Sequence, residues 1–126
     1  MTTSVLGTVF DCRDAERVAR FWADALGYEV SKRSPDEYLV ADGTGAGTDL
    51  YFMNVPEAKA GKNRVHVELV TNGNMESEVA RLVDLGASVV DVRTDPTAQT
   101  LPDTWTVLQD LEGNEFCISS DPTVTA

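Results

Sequence analysis

Apolar residues recur at helical spacing in two stretches of this chain, and each stretch is flanked by runs in which apolar and polar residues alternate. The first helix is predicted to begin after Asp14, a good N-cap, and to end at Gly27 in a left-handed conformation. Its apolar positions fall on one face. They are Val18, Phe21, Trp22, Ala25 and Leu26.

The second helix is shorter. Asn72 or Asn74 is predicted to cap it, and Gly86 to end it. Its apolar face consists of Met75, Val79, Leu82 and Val83.

The alternating runs predict eight strands, separated by clusters of glycine and aspartate. The predicted strands are Val5–Asp11, Tyr28–Lys32, Glu37–Ala41, Asp49–Val55, Arg64–Thr71, Ser88–Val92, Trp105–Asp110 and Glu115–Ser119. Residues 57–63 form a polar linker, and residues 93–103 a polar loop with two prolines. Each half of the chain is therefore predicted to fold as β-α-β-β-β.

The two halves also repeat in sequence. Gly7–Val30 reads GTVFDCRDAERVARFWADALGYEV, and His66–Val89 reads HVELVTNGNMESEVARLVDLGASV. Both copies carry Val-Ala-Arg in the helix and Leu-Gly at its end, at a constant offset of 59 residues (66 minus 7). Two copies of one module predict a pseudo-symmetric sheet, with a ligand site between the copies.

Length and charge narrow the function classes. A chain of 126 residues with 42% hydrophobic residues is predicted to form one globular domain, residues 1–126, with modules at about 5–56 and 64–120. The sequence shows neither a signal peptide nor a membrane span, so a cytoplasmic protein is expected. The net charge of −11 argues against nucleic acid. It would attract a cationic small molecule, or it can simply keep the protein in solution. Cys12 and Cys117 lack metal-knuckle or redox spacing and are expected to be buried, reduced thiols.

Strand residues alternate between two faces, which identifies a candidate ligand face. Leu6, Thr8 and Phe10, then Val65, Val67 and Leu69, are expected to face the helices, as are the apolar residues of the strands at 49–55 and 115–119. The opposite face then collects aromatic, thioether, imidazole, thiol and carboxylate groups. Its members are Gly7, Val9, Asp11, Tyr51, Met53, His66, Glu68, Glu115 and Cys117. A sheet curled into a cup would line a pocket with this set.

His66 and Glu68 are the candidate catalytic residues, because they share this face two residues apart. They can act as a general base and a polar anchor, or can simply form a polar pair satisfied by its surroundings. The candidate ligand-binding residues are Asp11, Tyr51, Met53, Trp105, Glu115 and Cys117. Trp105 fits a pocket wall or a rim equally well, whereas Trp22 lies on the helix stripe and is expected in the core.

The stretches DCRDAERVARFWADALGYEV, GKNRVHVEL, EVARLVDLGASVV and WTVLQDLEGNEFCI resemble the glyoxalase/bleomycin-resistance/extradiol-dioxygenase superfamily, the vicinal oxygen chelate fold, in its glyoxalase-like branch. The resemblance covers Val5 to Ser119. It implies an α+β fold of two βαβββ modules forming a cupped, barrel-like mixed sheet with the helices outside. It also implies a homodimer.

The resemblance further implies metal-ligand positions on the first and last strands of each module. They fall on Gly7, on His66, on Cys117 and on Tyr51 or Met53, and only His66 carries a usual ligand. The chain has one histidine, so two histidines and a carboxylate cannot assemble within it. No cofactor is therefore expected. An altered site for Zn, Ni, Fe or Mn, built from His66, Glu68, Glu115 or Cys117, is the alternative.

Three classes of function follow. The first is a metal-free protein that binds a small organic molecule, cationic or aromatic, as the drug-sequestering members of the superfamily do. The second is a lyase, isomerase or dioxygenase that uses a remodelled metal site or His66/Glu68 acid–base chemistry. The third is a non-catalytic scaffold. Neither nucleic acid nor membrane is expected as a partner.

Overall fold

The structure is a computed structural model that describes residues 2–97, 102–121 and 123. The chain divides into two compact units, Met1–Lys59 and Ala60–Ala126. The first unit contains β1 (Thr8–Cys12), α1 (Ala15–Leu26), β2 (Glu29–Ser34), β3 (Glu37–Ala41) and β4 (Leu50–Asn54). The second contains β5 (Val67–Thr71), α2 (Met75–Asp84), β6 (Ser88–Thr94), β7 (Thr104–Gln109) and β8 (Glu115–Ser120).

The first unit is a four-stranded sheet of order β1-β4-β3-β2 covered by α1. β1 runs parallel to β4, and the other neighbours are antiparallel. The core between sheet and helix is aromatic: the ring centroids of Phe10 and Trp22 are 5.5 Å apart, and those of Phe10 and Phe52 are 4.8 Å apart. Trp22 and Phe52 are fully buried, which confirms the core role predicted for Trp22.

Helix α1 begins and ends at the predicted residues. The Asp14 carboxylate accepts a hydrogen bond from the Arg17 amide at 3.2 Å, and Gly27 ends the helix at φ 69°, in the left-handed region. The Ala15 amide donates to Asn54 Oδ1 at 2.8 Å, so the start of the helix is fixed to the end of β4.

The second unit repeats this design with the sheet order β5-β8-β7-β6 and α2 packed on one face. Its core contains Leu82, Leu108 and Phe116, all fully buried. Of the two candidate caps, Asn74 is the one used, since its Oδ1 accepts from the Ser77 amide at 2.9 Å. Two tandem βαβββ modules of α+β class are thus confirmed, while the treatment of residues 1–126 as a single domain stays a prediction.

The first strand of each module starts three residues later than predicted. Residues 5–7 and 64–66 precede β1 and β5, whose pairing with β4 and β8 begins at Thr8↔Leu50 and Val67↔Phe116. Leu6 and Val65 are consequently 81% and 82% exposed, so the expectation that they face the helices is wrong. Within the strands the face assignment holds, since Phe10, Leu50, Phe52, Phe116 and Ile118 lie among the core residues or contact them.

The polar loop also starts later than predicted. Arg93 and Thr94 belong to β6 and pair with Trp105 and Thr104 of β7. Residues 98–101 of the predicted loop lie outside the described part of the chain.

The structure also bears on the two cysteines and on membrane-spanning helices. Cys12 and Cys117 are both buried thiols, as predicted. Among the described residues, no helix has the length and apolar character that a membrane crossing requires.

Candidate functional site

The face of the second sheet opposite α2 carries a row of four side chains. The strand registers pair Glu68 of β5 with Cys117 of β8, Cys117 with Val107 of β7, and Val107 with Asp91 of β6. Because Phe116 and Ile118 pack on the α2 side, alternation places Cys117 on the other side. We call these four residues, with Arg93 and Trp105 on the same side, the site face.

His66 and Glu68 meet at one end of this face. His66 immediately precedes β5, and its Nε2 lies 2.9 Å from Glu68 Oε1. Both side chains are 37% exposed, so the pair is open to solvent or to a ligand. The structure therefore brings the two candidate catalytic residues into hydrogen-bonding contact.

Cys117 lies deeper, at 5% exposure, beside the same carboxylate. Burial raises the pKa of its thiol from 9.0 to about 11, and the negative charge of Glu68 adds to this rise, as does the hydrogen bond that the thiol donates to Glu68. The positive charges of Arg93 and Lys62 act in the opposite direction on this pKa. The thiol is neutral at physiological pH in the metal-free protein.

His66, Glu68 and Cys117 together form a group with the composition of a metal site. One nitrogen, one oxygen and one sulfur ligand atom lie within 4.8 Å of one another. Metal ions in the mid-to-late first-row series accept this mixture of donors. The residues therefore fit a divalent ion.

Trp105 and Arg93 extend the site face toward β6. The two residues are partners in the β6–β7 register, Trp105 is half-buried, and Arg93 Nε lies 3.2 Å from Asp91 Oδ2. Arg93 and Asp91 were missed by the sequence analysis, because the predicted strand stopped at Val92, before Arg93, and Asp91 was not assigned to a face of that strand. The alternation Asp91-Val92-Arg93 was the signal that could have extended it.

Glu115 is not part of the group around Glu68. It is 8% exposed, and its Oε1 accepts a hydrogen bond from the Asn63 amide at 3.0 Å. Its carboxylate therefore holds the segment that leads into β5. The DLEGN turn is structural as well, since Asp110 Oδ1 accepts from the Glu112 and Asn114 amides at 2.9 and 3.0 Å.

The other candidate ligand-binding residues belong to the first unit. Asp11, Tyr51 and Met53 share one face of its sheet through the pairs Val9↔Tyr51 and Asp11↔Met53. Asp11 and Met53 are exposed, and Tyr51 is half-buried. They form a second cluster in the first unit, whereas the site face belongs to the second unit.

Tyr51 occupies the space next to Gly7. A Cβ atom at position 7 would lie 2.7 Å from Tyr51 Cε2 and 2.8 Å from the Asp49 carbonyl oxygen. The ligand position implied at Gly7 therefore has neither a side chain nor the room for one.

Comparison with known proteins identifies the family. The model of the glyoxalase-like domain matches residues 7–119. No curated protein sequence matches the chain.

Solved structures share the fold at low identity. A glyoxalase/bleomycin resistance protein/dioxygenase family enzyme from Burkholderia phytofirmans PsJN is 18% identical with a TM-score of 0.71, over 93% of this chain and 98% of that one. The fosfomycin resistance protein FosX from Listeria monocytogenes, complexed with Mn(II) and 1S,2S-dihydroxypropylphosphonic acid, is 15% identical with a TM-score of 0.72, over 94% and 90%. A lactoylglutathione lyase from Agrobacterium tumefaciens is 13% identical with a TM-score of 0.64, over 95% of both chains.

The family match spans most of the chain, and the two βαβββ modules agree with the fold that these structures share. The chain therefore belongs to the glyoxalase-like domain family.

Proposed function

We propose that this protein binds a small organic molecule on the site face of its second unit. The observation that carries the proposal is the combination on one face of the half-buried Trp105 with the solvent-accessible His66–Glu68 pair. An aromatic surface beside a few polar groups is the usual composition of a small-molecule site. One structure of the same fold was solved with a small organic molecule, 1S,2S-dihydroxypropylphosphonic acid, together with Mn(II), which supports a small-molecule ligand without indicating its charge.

The electrostatics favour a flat or aromatic cation. Trp105 offers an aromatic face for stacking and cation–π contact, and Glu68 offers a carboxylate. The net charge of −11 attracts cations toward the protein as a whole. Arg93 does not oppose such a ligand strongly, because Asp91 pairs with it at 3.2 Å.

The test is calorimetric titration of the metal-free protein with aromatic cations, with matched neutral and anionic analogues. We expect the cations to bind most tightly, Trp105→Ala to weaken binding by about tenfold or more, and Glu68→Gln to remove the preference for cations. Glu57→Gln, which removes one exposed carboxylate from the linker, is the matched control. Equal binding by the native and Trp105→Ala proteins would contradict the proposal, and no binding of any analogue would favour the scaffold class.

A second candidate function is enzymatic, of the lyase, isomerase or dioxygenase type. The 2.9 Å contact between His66 Nε2 and Glu68 Oε1 favours it, because a histidine–carboxylate pair open to a ligand can accept and return a proton. A divalent ion held by the same group would supply Lewis-acid polarisation of a ligand oxygen. His66 and Glu68 would then bind and orient that ion.

Deuterium exchange tests the acid–base version directly. A bound carbonyl compound incubated with the protein in D₂O would gain deuterium at the carbon next to the carbonyl group. Glu68→Gln should abolish this exchange, and Glu57→Gln should leave it unchanged. Exchange that persists in Glu68→Gln would exclude Glu68 as the base.

The proposal includes a homodimer, as the family resemblance implies, and a cytoplasmic location, as expected from the sequence. Sedimentation equilibrium of the purified chain tests the assembly, and a mass of a single 13.7 kDa chain at all concentrations would contradict it.

A further inference from the structure

We propose that His66, Glu68 and Cys117 bind one thiophilic divalent ion, zinc in the first place, and that all protein ligands come from the second unit. The observation is the meeting of three different donor atoms within 4.8 Å. Zinc lies about 2.0–2.3 Å from nitrogen, oxygen and sulfur ligands, so the donors of one tetrahedral ion are about 3.3–3.8 Å apart. Donor atoms within 4.8 Å of one another need to shift by about 1 Å or less to reach this spacing.

The number of ligands indicates an open site. Structural zinc sites are closed by four protein ligands, whereas catalytic sites have three and leave a position for water or substrate. Among the described residues, the group contains no fourth histidine, cysteine or carboxylate, and Glu115, on the same strand as Cys117, accepts a hydrogen bond from the Asn63 amide. The fourth position therefore faces solvent or a ligand, next to the 37% exposed His66 and Glu68.

The sulfur donor decides which metals fit. A thiolate is a soft ligand that favours zinc over the harder ions Mn²⁺ and Mg²⁺, which prefer oxygen. With Cys117 as thiolate and Glu68 as carboxylate, the ligands carry two negative charges and neutralise a divalent ion. Lys62 and Arg93 contribute positive charge at the thiol, which favours the thiolate once the ion has displaced its proton.

The sheet fixes two of the three ligands. Glu68 and Cys117 are Cα partners in the parallel pairing of β5 and β8, so their separation is set by backbone hydrogen bonds. Sites on paired strands keep their geometry better than sites on loops. His66 stands at the start of β5, where the Glu115–Asn63 hydrogen bond holds the preceding segment.

This ligand set differs from the arrangement that the family resemblance implies. That arrangement uses a first-strand residue of the first module, where this chain has Gly7 with the Tyr51 ring against it. Glu68 replaces the missing ligand from within the second module, two residues after His66. The inference does not depend on the binding of an organic molecule, so either can fail without the other.

Cobalt substitution tests this site in the full-length chain without a histidine tag. The metal-free protein would be titrated with Co²⁺ and then with Zn²⁺. We expect one Co²⁺ per chain, a near-ultraviolet thiolate-to-cobalt charge-transfer band, and displacement of the cobalt by zinc. Cys117→Ser should lose the band, and His66→Ala and Glu68→Gln should each weaken zinc binding at least about 100-fold, since even second-shell losses cost 10–100-fold.

Cys12→Ser is the matched control, because it removes the other buried thiol. The band should remain in this variant, and circular dichroism should show that every variant is folded. A band that survives in Cys117→Ser, or the absence of any band in the native chain with excess Co²⁺, would overturn the inference. Binding of cobalt without a charge-transfer band would equally exclude Cys117 as a ligand.

Discussion

The Cys117 thiol donates a hydrogen bond to the Glu68 carboxylate, and the two residues are direct partners across the β5–β8 pairing. A buried thiol beside a carboxylate remains protonated, because both burial and the neighbouring negative charge oppose the thiolate. Cys117 is therefore a poor free nucleophile at neutral pH, and its chemistry depends on what replaces its proton.

Glu68→Gln should lower the pKa of Cys117 from its value of about 11, because it removes the neighbouring negative charge. Burial remains, so the pKa should stay above 9.0, the ordinary value for this thiol. The measurement is the ¹³C chemical shift of the Cys117 Cβ atom during a pH titration of the metal-free chain.

Arg93→Gln should change the pKa of Cys117 in the direction opposite to Glu68→Gln. The guanidinium lowers the pKa of Cys117, so its removal should raise that pKa further. If Glu68→Gln and Arg93→Gln both moved the pKa of Cys117 in the same direction, the charges of Glu68 and Arg93 would not be what shifts this pKa.

The same pKa predicts a loss of stability at alkaline pH. A thiol with a pKa of 9.0 when unfolded and about 11 when folded retains its proton in the native state longer than in the unfolded state. Its contribution is complete below about pH 9 and is lost as the pH rises to about 11, by up to about 3 kcal/mol. Urea unfolding across this range should show a steeper decline for the native chain than for Cys117→Ser. Parallel curves would contradict the assignment.

Most of the fold could be predicted from the sequence because its signals are local. The stripe on α1, the Asp14 cap and Gly27 depend on neighbouring residues alone, and all three occur as predicted. The errors are at strand ends. Whether Leu6 and Val65 belong to strands depends on where the pairing with β4 and β8 begins. The residues around Leu6 and Val65 do not determine this.

The sequence predicted which residues belong to the candidate site, but not which of them lie together. Alternation correctly placed Glu68 and Cys117 on one face, and the register then made them neighbours. Alternation could not show that the Glu115 carboxylate, on the same strand as Cys117, accepts a hydrogen bond from the Asn63 amide. It also could not separate Tyr51 and Met53, which share the pattern but lie in the other unit.

Leu82→Ala should destabilise the second unit by about 2–5 kcal/mol, because it opens a cavity at a fully buried position of α2. Val83→Ala is the matched control on the same helix, where 42% exposure limits the expected change to about 0.5 kcal/mol. Urea unfolding measures both free energies. Similar values for the two variants would show that α2 does not pack on the sheet as described.

Gly7→Ala should destabilise the first unit by about 1–3 kcal/mol, because its Cβ atom would lie 2.7 Å from the Tyr51 ring and 2.8 Å from the Asp49 carbonyl oxygen. The ring can move, but the carbonyl belongs to the backbone, so Tyr51→Ala should relieve only part of this cost. Gly43→Ala is the matched control, since the atoms nearest to its Cβ atom, those of the Glu29 carboxylate, would be 3.6 Å away. Thermal unfolding of the four variants, including the double variant Gly7→Ala/Tyr51→Ala, measures their differences in stability.

A Gly7→Ala protein as stable as the native chain would mean that position 7 has room for a side chain, and a first-strand ligand could then be restored there by Gly7→His. If the cost is observed, position 7 cannot hold the first-strand ligand that the family resemblance implies.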